Sequence, residues 1–513
     1  MTFALGTTLA IGALASVIIY WPCSMIYNLF FHPLASVPGP RLYAMSQIPY
    51  LHHMIAGKWP FVLAKLHDKY GPIVRIAPSD VSFISATAWN DIHGHRTHGK
   101  LPFEKDTRIF APTLTDTPHV IKAKSGDHAR MRRLLAHAFS EKALRGQEGI
   151  IQYYIGLLIS KLREHAAAGG NIDLVKWYNY TTLDIIGHLS FGKSFGCLVQ
   201  SKYHLGVGMV FATIRIIPYL QVLYRMPFLK QLTNLNQLAK VATLARYLVP
   251  ERYLRDAMEL PSLGFTATRK RIETGNLEGE DFVSYMLRHN DEKKGMTIDE
   301  MGENATVFII AGSETTATLL SGATFYMLKN PLVYKRVVEE VRSTFNKEED
   351  ITMVGVNRLP YMMAVLRETL RLYPPVPTAL PRIVPEGGAM IDGYFIPENT
   401  SVGLSHLPAY TSARNFSRPD EFLPERWLND PRFASDIQEA HQPFGLGSRV
   451  CLGKKSAAAF PFLAYAEMKL IMARTLWNFD LELEPDSKGW NKQNVYLLWE
   501  KKPLNIKLTP VVK

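Results

Sequence analysis

The feature that most restricts how this chain can fold is one cysteine near its C-terminal end, set in a glycine-rich stretch. Residues 444–453 read Phe-Gly-Leu-Gly-Ser-Arg-Val-Cys-Leu-Gly, with Phe444 seven residues before Cys451 and Arg449 two residues before it. A helix that begins at the cysteine would aim its N-terminal amide groups at the sulfur and favour a thiolate. Arg449 adds a positive charge beside any anion bound there. These features favour a thiolate at Cys451; a buried structural cysteine in a glycine-rich turn is the alternative.

The glycines around the cysteine make the stretch recognisable. Gly445 and Gly447 predict a tight backbone turn, because residues without a Cβ enter such turns at little cost. The spacing F-x-x-G-x-R-x-C-x-G resembles the haem-binding loop of the cytochrome P-450 family, the haem-thiolate monooxygenases. Its five fixed positions match by chance in a chain of this length on the order of one time in ten thousand. The resemblance implies that Cys451 is the axial ligand of a haem b iron. It places four further loop residues around that cofactor: Phe444, Gly445, Arg449 and Gly453.

A long apolar helix carries the second informative motif. The stretch Thr297-Ile-Asp-Glu300 is a capping box, so we expect the helix to begin there and to run to about Lys329. Glu314 and Thr315 interrupt its apolar centre, where an acidic group is costly unless it has a partner or a function. Satisfied core hydroxyls are the alternative to a functional role.

The centre of that helix resembles the oxygen-activating kink of the same family. The matching residues are Ala311, Gly312, Glu314 and Thr315. The resemblance implies that Glu314 and Thr315 are catalytic and relay protons through water, and that Ala311 and Gly312 border the haem. Gly312 would let a ligand approach the backbone, because glycine carries no side chain.

Three basic residues are candidates for binding the two haem propionates. His128 and Arg132 are four residues apart and share a helix face, although a basic helix surface is the simpler explanation. The resemblance makes both of them propionate partners. It also implies that Arg382, at the end of the stretch Pro377-Thr-Ala-Leu-Pro-Arg382, meets a propionate, and that the residues before it line the substrate pocket.

A second set of charged residues has a structural interpretation. Glu368 and Arg371 lie three apart on one predicted helix, and such pairs are common on solvated helices. The family joins a Glu–Arg pair of this kind to a later arginine, here Arg426 in Pro424-Glu-Arg-Trp427. The resemblance therefore implies a buried Glu–Arg–Arg network that fixes the position of the cysteine loop.

The N-terminal region predicts a membrane anchor. No Asp, Glu, Lys or Arg occurs before Arg41, and the apolar run is long enough to cross a bilayer as one helix. We predict a transmembrane anchor over 1–27, a proline-rich hinge over 28–45 and a haem-thiolate monooxygenase domain over 46–513. Positive residues appear only downstream, which favours a single pass through the endoplasmic reticulum membrane with the body in the cytoplasm. A cleaved signal peptide is the alternative.

The rest of the chain predicts one large domain. No flexible linker or internal repeat divides residues 46–513, and the hydrophobic content of 47% supplies a sizeable core. Three scattered cysteines exclude a disulfide framework. Helical periodicity spans Trp59 to Tyr70, and residues 73–77 and 81–85 alternate as two strands. We expect a mainly α fold with small β-sheets, the cytochrome P-450 fold.

The resemblance also implies partners. Two electrons would come from NADPH through a separate reductase, an FAD/FMN flavoprotein, with one atom of O2 entering an apolar small-molecule substrate. Details of the sequence resemble filamentous-fungal members, many of which act on terpenoid, polyketide or alkaloid skeletons. The net charge is +12, but the basic residues are scattered, so nucleic acid is not an expected partner, whereas membrane lipid is. A basic docking surface for the reductase would comprise Arg130, Arg133, Lys454 and Lys455.

Two regions leave questions open. The long irregular stretch 94–125 and the residues Met209, Phe211 and Ile214 border the substrate pocket only by family position. Residues 456–462 look like an insertion, because Leu463-Ala-Tyr-Ala-Glu467 matches the expected helix motif seven residues late. An inactive haem protein is therefore one alternative, and a haem-thiolate isomerase or dehydratase, which needs no proton relay, is the other.

Overall fold

The structure is a computed structural model that describes residues 19–96, 101–108, 117–202, 205–225, 251–275, 278–291, 294–454 and 463–512. Residues 19–30 are helical. The later helices, in chain order, are α1 (Arg41–Met45), α2 (Ile48–Ile55), α3 (Trp59–Tyr70), α4 (Ala86–His93), α5 (Ser125–Leu135), α6 (Glu141–Ala167), α7 (Leu174–Phe191), α8 (Cys197–Gln200), α9 (Leu205–Arg225), α10 (Glu251–Glu273), α11 (Phe282–Arg288), α12 (Ile298–Lys329), α13 (Pro331–Thr344), α14 (Pro360–Leu372), α15 (His406–Tyr410) and α16 (Leu463–Asn478).

Short strands form small sheets beside these helices. The strands are β1 (Ile73–Ala77), β2 (Asp80–Phe83), β3 (Glu104–Lys105), β4 (Ile172–Asp173), β5 (Arg382–Ile383), β6 (Ala389–Ile391), β7 (Tyr394–Ile396), β8 (Ser401–Leu404), β9 (Phe479–Leu483) and β10 (Asn505–Pro510). Within the described residues they form a five-stranded sheet of order β1-β2-β8-β5-β3, a three-stranded sheet of order β4-β10-β9 and the hairpin β6-β7. The predicted fold class, mainly helical with small sheets, is confirmed.

The largest sheet brings two distant basic residues together. Strand β5 pairs with β3 and with β8, and this register places Lys105 opposite Arg382 and Arg382 opposite Val402. The predicted strands at 73–77 and 81–85 are also present, although β2 begins at Asp80 and ends at Phe83. The five-stranded sheet therefore fixes one wall of the site described below.

Helix α12 forms the centre of the molecule. Its N-terminus carries the predicted capping box, in which the Thr297 hydroxyl accepts from the amide of Glu300 and the Glu300 carboxylate accepts from the amide of Thr297. The helix packs against α7, α10 and α14, among others, and is apolar on most sides, as a helix in a core must be. Near its middle, however, Ala311 is exposed and Thr315 is half-buried. The core is therefore open at that point along the helix.

The hinge is tied to the body through a buried arginine. Arg75 on β1 donates through Nη1 to the carbonyl of Asn28 at 2.8 Å, and its amide donates to the carbonyl of Pro38 at 2.7 Å. In the part of the chain that the structure describes, no helix is both long and apolar enough to span a bilayer. Residues 1–18 of the predicted transmembrane anchor lie outside the described residues, so the anchor stays a prediction.

Candidate functional site

The cysteine loop has the tight turns that its glycines predict. Gly445 and Gly447 adopt φ angles of +74° and +71°, a region that residues with a Cβ rarely enter. A Cβ on Gly447 would also lie 1.9 Å from the carbonyl oxygen of His93, so only glycine fits. The amide of Cys451 donates to the carbonyl of Phe444 at 2.8 Å and closes the loop.

The environment of Cys451 suits a metal-bound thiolate. The residue is solvent-accessible although surrounding protein atoms crowd its sulfur, and Lys454 follows it at the end of the short 3₁₀ helix Leu452–Lys454. Burial of the sulfur raises the pKa of the thiol, while the amides of Gly453 and Lys454 and the charges of Arg132 and Lys454 act in the opposite direction. A coordinated metal ion deprotonates a thiol outright, so the thiolate becomes the stable form once the sulfur has a metal partner.

The accessible face of α12 contains Ala311 and Thr315, which lie one helical turn apart. The Thr315 hydroxyl donates to the carbonyl of Ala311 at 2.6 Å. Gly312 is half-buried, and a Cβ there would lie 2.5 Å from Cδ1 of Ile186 on α7. The glycine therefore allows α7 to pack closely against α12. Because a Cβ at this position would point at Ile186, the interpretation that Gly312 lets a ligand approach the backbone is not supported.

A cluster of positive groups lies beside the cysteine loop. The charges of Lys105, Arg132, Arg382 and Arg449 all act on the pKa of His128, and these five residues form the cluster. Burial and the charge of Arg449 lower the pKa of Arg382 to about 9. Burial and the charges of Arg449, Arg132, Lys105 and Arg382 lower the pKa of His128 to about 3, so this imidazole is neutral at pH 7. Positive groups that are buried beside one another in this way indicate a site built for an anion.

Two guanidinium groups in the cluster have free donors. Nη1 of Arg382 and Nη1 of Arg449 are buried and have no hydrogen-bond partner in the described part of the chain. Arg449 donates through Nη2 to the carbonyl of Ala123 at 2.8 Å and to the carboxylate of Glu104 at 3.3 Å. The half-exposed carboxylate of Glu104 accepts from Nη2 of Arg449 and from neither free Nη1 atom, and a buried charged donor without a partner is costly. A bound dianion would satisfy both.

Comparison with known proteins decides what this site is. The sequence model of the cytochrome P-450 family matches residues 37–508. The chain belongs to the cytochrome P-450 family. It is 41% identical over 500 residues to cytochrome P-450 monooxygenase astA of Talaromyces wortmannii, covering 98% of this chain and 97% of that protein. It is 41% identical to the trichothecene C-4 hydroxylase of Trichoderma arundinaceum, covering 95% and 94%, and 38% identical to the averantin hydroxylase of Dothistroma septosporum, covering 98% and 91%.

As a cytochrome P-450 monooxygenase the protein uses haem, and the residues present fit that group. Cys451 offers the sulfur ligand, and the unpartnered Nη1 atoms of Arg382 and Arg449 offer donors to the two propionate carboxylates. His128 and Arg132 lie in the same cluster, so all three predicted propionate partners are brought together there. The alternatives of a structural cysteine turn and of a nucleic-acid-binding protein are not favoured by the family membership.

The carboxylate of Glu314 does not lie on the accessible face of α12. It is 2% exposed and forms an ion pair of 2.8 Å with Lys501, itself buried, whose Nζ also donates to the Thr318 hydroxyl at 2.9 Å. Burial raises the pKa of Glu314, while Lys501 and the Thr318 hydroxyl act to lower it. The structure therefore places the two predicted relay residues on different faces of the helix.

The predicted Glu–Arg–Arg network is present as a closed set of contacts. Glu368 accepts from Nη2 of Arg371 at 2.9 Å, from Nε of Arg426 at 3.1 Å and from Nε1 of Trp427 at 2.9 Å. The other side of Arg426 pairs with Asp436, a fourth member that the sequence interpretation missed. Two carboxylates balance two guanidinium groups, and the four side chains are at most 1% exposed.

Several other predictions fall partly or wholly outside the described residues. These are Lys455, the insertion at 456–462 and the side chains of Met209 and Phe211, whereas Ile214 is buried. In the predicted docking surface, Arg130 is paired with Glu300 at 2.6 Å and Asp127 at 2.9 Å. Its charge is thereby neutralised, which leaves exposed Arg133 and half-buried Lys454 as the described basic groups there.

Sequence interpretation missed Lys105, Lys501 and Asp436 because each is isolated in the sequence from the motif it joins. Lys105 reaches the cation cluster only through the pairing of β3 with β5. Lys501 comes from the C-terminal segment, and Asp436 follows the Pro-Glu-Arg-Trp stretch by a loop. A lone Lys or Asp at such a position has no local pattern that predicts a partner.

Proposed function

We propose that this monooxygenase hydroxylates an unactivated carbon of an apolar secondary metabolite in a fungal pathway, using haem b, O2 and electrons from NADPH. The observation that carries the proposal is the cysteine loop facing a cation cluster with two unpartnered donors. Two of the relatives named above are hydroxylases, which supports hydroxylation as the outcome. When bound, haem supplies the oxygen-activating chemistry, and a thiolate ligand favours O–O cleavage.

The chain's own residues position the cofactor and handle protons. The Glu368 network holds the region next to the cysteine loop rigid, because nearly every donor of its two guanidinium groups is already bonded. Thr315 presents its hydroxyl at the opening in α12, bonded back to Ala311, so that it can exchange this partner for a water. Glu314 and Lys501, which form an ion pair behind that face, hold an exchangeable proton. An apolar surround excludes bulk water from the reaction.

The electrons are proposed to come from an NADPH-dependent FAD/FMN reductase that docks near the cysteine loop. Arg133 is exposed and Lys454 half-buried, on the segments that flank the sulfur. Attraction between such a basic surface and an acidic flavoprotein would speed association at low salt. Reversing the charge of Arg133 and Lys454 is expected to slow reduction by the reductase without altering reduction by dithionite. If the reductase reduced the native protein and the charge-reversed variant at equal rates, the proposed docking surface would be wrong.

The protein is further proposed to be anchored in the endoplasmic reticulum membrane by residues 1–27, with residues 28–45 as hinge and residues 46–513 as the cytoplasmic catalytic domain. Exposed apolar side chains on the described part of the anchor support this arrangement. Ile19 is 64% exposed and Tyr20 65% exposed, and Phe30 and Phe31 at the start of the hinge are 66% and 71% exposed. Large apolar groups that face water in this number are typical of membrane contact.

Isotope labelling tests the proposed reaction. With reductase, NADPH and a candidate substrate, labelled dioxygen should place one labelled atom in the product and the other in water. An isomerase or dehydratase would form product without consuming dioxygen or NADPH. A haem protein disabled by the insertion at 456–462 would bind substrate but form no product under either condition.

A further inference from the structure

A small cavity beside the five-stranded sheet has two unsatisfied polar groups in its wall. The cavity measures 40 Å³ and lies between the last turn of α9, helices α2 and α3, strands β1, β2 and β8, and residues 378–381. Oε1 of Gln221 and Nε of Arg225 are buried, line this cavity and have no hydrogen-bond partner in the described part of the chain. The two residues are 2% and 5% exposed.

The charges around the cavity are balanced, so it does not select an ion. Arg225 pairs with Asp80, and Arg108 pairs with Asp80 at 3.1 Å and with Asp106 at 2.7 Å. Two carboxylates thus meet two guanidinium groups. Because Arg225 is held by Asp80 through Nη1, the direction of its free Nε–H is fixed. The ligand group that fits is a neutral one.

Three hydroxyl groups of the wall are already in use. Ser82 is bonded to His67 at 2.9 Å, Ser401 donates to Asp106 at 2.7 Å, and Thr378 donates to the carbonyl of Leu497 at 3.5 Å. The unused pair is therefore one donor on Arg225 and one acceptor on Gln221. A hydroxyl group both accepts and donates, and it satisfies the two at once.

Water alone is a poor occupant of this space. One water needs roughly 10–15 Å³ of such volume and two to four polar partners, whereas this cavity is larger and most of its wall is apolar. The apolar lining consists of Met54, Trp59, Ile76, Val81, Val402 and Leu497. A ligand with an apolar body and a hydroxyl end matches both the wall and the unused pair.

The cavity shares a wall with the haem site. Ala379 and Pro381 line the cavity, and Arg382, the next residue, belongs to the cation cluster. In extended chain, the three steps from Ala379 to Arg382 span about 10 Å. A substrate lying along residues 379–382 would therefore contact both the cavity and the cation cluster.

We propose that Gln221 and Arg225 bind a hydroxyl group of the substrate at the end away from the oxidised carbon. This inference rests on the proposed function and narrows its substrate class: an apolar skeleton that already carries a hydroxyl group. The reaction that supplies such a substrate must itself install or unmask a hydroxyl.

Calorimetry with matched ligands tests the inference on the full-length haem-loaded protein. Primary alkanols from hexanol to tetradecanol are each compared with their methyl ethers, which keep the oxygen acceptor but lose the donor. The native protein is expected to bind the best alkanol about tenfold more tightly than its ether, equivalent to ~1.4 kcal/mol. Gln221→Leu should bring the ratio to about one, and Gln221→Glu, which still accepts, should keep it.

Two further variants localise the effect. Arg225→Lys keeps the charge opposite Asp80 but removes the Nε donor, so it should weaken alkanol and ether alike by about the same factor. Gln200→Leu, at an exposed position on α8, is the matched control and should keep the native ratio. A ratio near one in the native protein would mean that the cavity holds only ordered water, and a ratio that survives Gln221→Leu would place the discrimination elsewhere. Either result overturns the inference.

The failure of this inference is distinguishable from failure of the proposed function. The reduced, carbon-monoxide-bound spectrum is recorded for every variant used. If all variants keep the thiolate-type band and the alkanol preference is absent, only the hydroxyl site is wrong. If labelled dioxygen yields no labelled product although the alkanol preference is present, the proposed reaction is wrong.

Discussion

Two groups of buried arginines in this protein differ in whether the chain completes their contacts. Around Glu368, the guanidinium groups of Arg371 and Arg426 meet carboxylates and backbone carbonyls at nearly every donor. Around Cys451, Arg382 and Arg449 each keep an unpartnered Nη1. The first group is complete as folded, and the second is completed by a ligand.

The contrast gives a physical criterion for separating structural from functional charge. Buried ion pairs with all donors satisfied hold a fixed geometry, and breaking one leaves an uncompensated charge. A cluster of buried positive charges without matching carboxylates lowers the stability of the protein until an anion binds. The same side-chain type therefore has opposite effects on the ligand-free protein, and substitutions at the two sites should move its stability in opposite directions.

The largest effect on the free energy of unfolding is expected in the complete network around Glu368, here called the closed site. Glu368→Gln would leave two buried guanidinium groups facing a single carboxylate, Asp436, and should lower the free energy of unfolding by about 3–5 kcal/mol. Denaturant titration of the ligand-free protein measures it. Glu482→Gln, whose side chain is 72% exposed, is the control and should change stability by less than about 0.5 kcal/mol. A loss below about 1 kcal/mol in Glu368→Gln would contradict the structural role of the network.

A buried carboxyl with no cation beside it makes the stability of the protein depend on pH. Burial raises the pKa of Glu467 to about 8, and Oε1 of this residue has no hydrogen-bond partner. Because the pKa of Glu467 in the folded protein lies above the ordinary value of 4.5, its contribution to stability is fully present below about pH 4.5 and is lost as the pH rises toward 8. Each unit of the pKa difference corresponds to about 1.4 kcal/mol.

Glu467→Gln should therefore flatten the decline in stability between pH 5 and 8, as measured by denaturant titration at each pH. Glu482→Gln again serves as the control, since an exposed carboxylate should leave the pH profile unchanged. Parallel profiles for the native protein and Glu467→Gln would show that Glu467 has a partner that holds it ionised.

At the cation cluster beside Cys451, here called the open site, substitutions should weaken the retention of haem but keep or raise the stability of the ligand-free protein. Arg382→Met and Arg449→Met should speed haem transfer to an acceptor apoprotein about tenfold each, because a charged hydrogen bond of about 1.5–3 kcal/mol is lost. The ligand-free protein should keep its stability or gain about 1 kcal/mol, since an unbalanced buried charge is removed. Arg145→Met, 66% exposed, should alter neither. A large loss of ligand-free stability would show that these arginines are structural.

The smallest effect on the free energy of unfolding is expected when a single neutral donor of the Glu368 network is removed and its charges are kept. Trp427→Phe removes the indole N–H that donates to Glu368 at 2.9 Å while keeping an aromatic ring. The expected cost is about 1 kcal/mol, well below that of Glu368→Gln. Thermal unfolding followed by circular dichroism is sufficient to rank the two. An equal cost for both variants would mean that packing, and not charge, governs this site.

The sequence predicted those parts of the molecule whose structure is determined by residues close together in the chain. Capping of α12 at Thr297, the end of α3 at Gly71 and the turns at Gly445 and Gly447 each depend on one or a few neighbouring residues. The family resemblance gathered Glu368, Arg371 and Arg426 across more than fifty residues. It could not supply Asp436, because no motif includes it.

Contacts that depend on side-chain direction were not predictable in the same way. Glu314 and Thr315 are adjacent in sequence, yet successive residues on a helix point about 100° apart, so one pairs with Lys501 and the other faces the opening. Gly312 is required by Ile186 on another helix, and that neighbour is known only once the helices are packed. Long-range packing therefore decides what a local motif does.

The most direct test of the account is the absorption spectrum of the reduced protein under carbon monoxide, for the native chain and for single substitutions at its three cysteines. The native protein should show the red-shifted band of thiolate-ligated haem. Cys451→Ala should lose that band, whereas Cys23→Ala and Cys197→Ala should keep it. An unchanged band in Cys451→Ala, or its loss in Cys197→Ala alone, would contradict the assignment of Cys451 as the haem ligand.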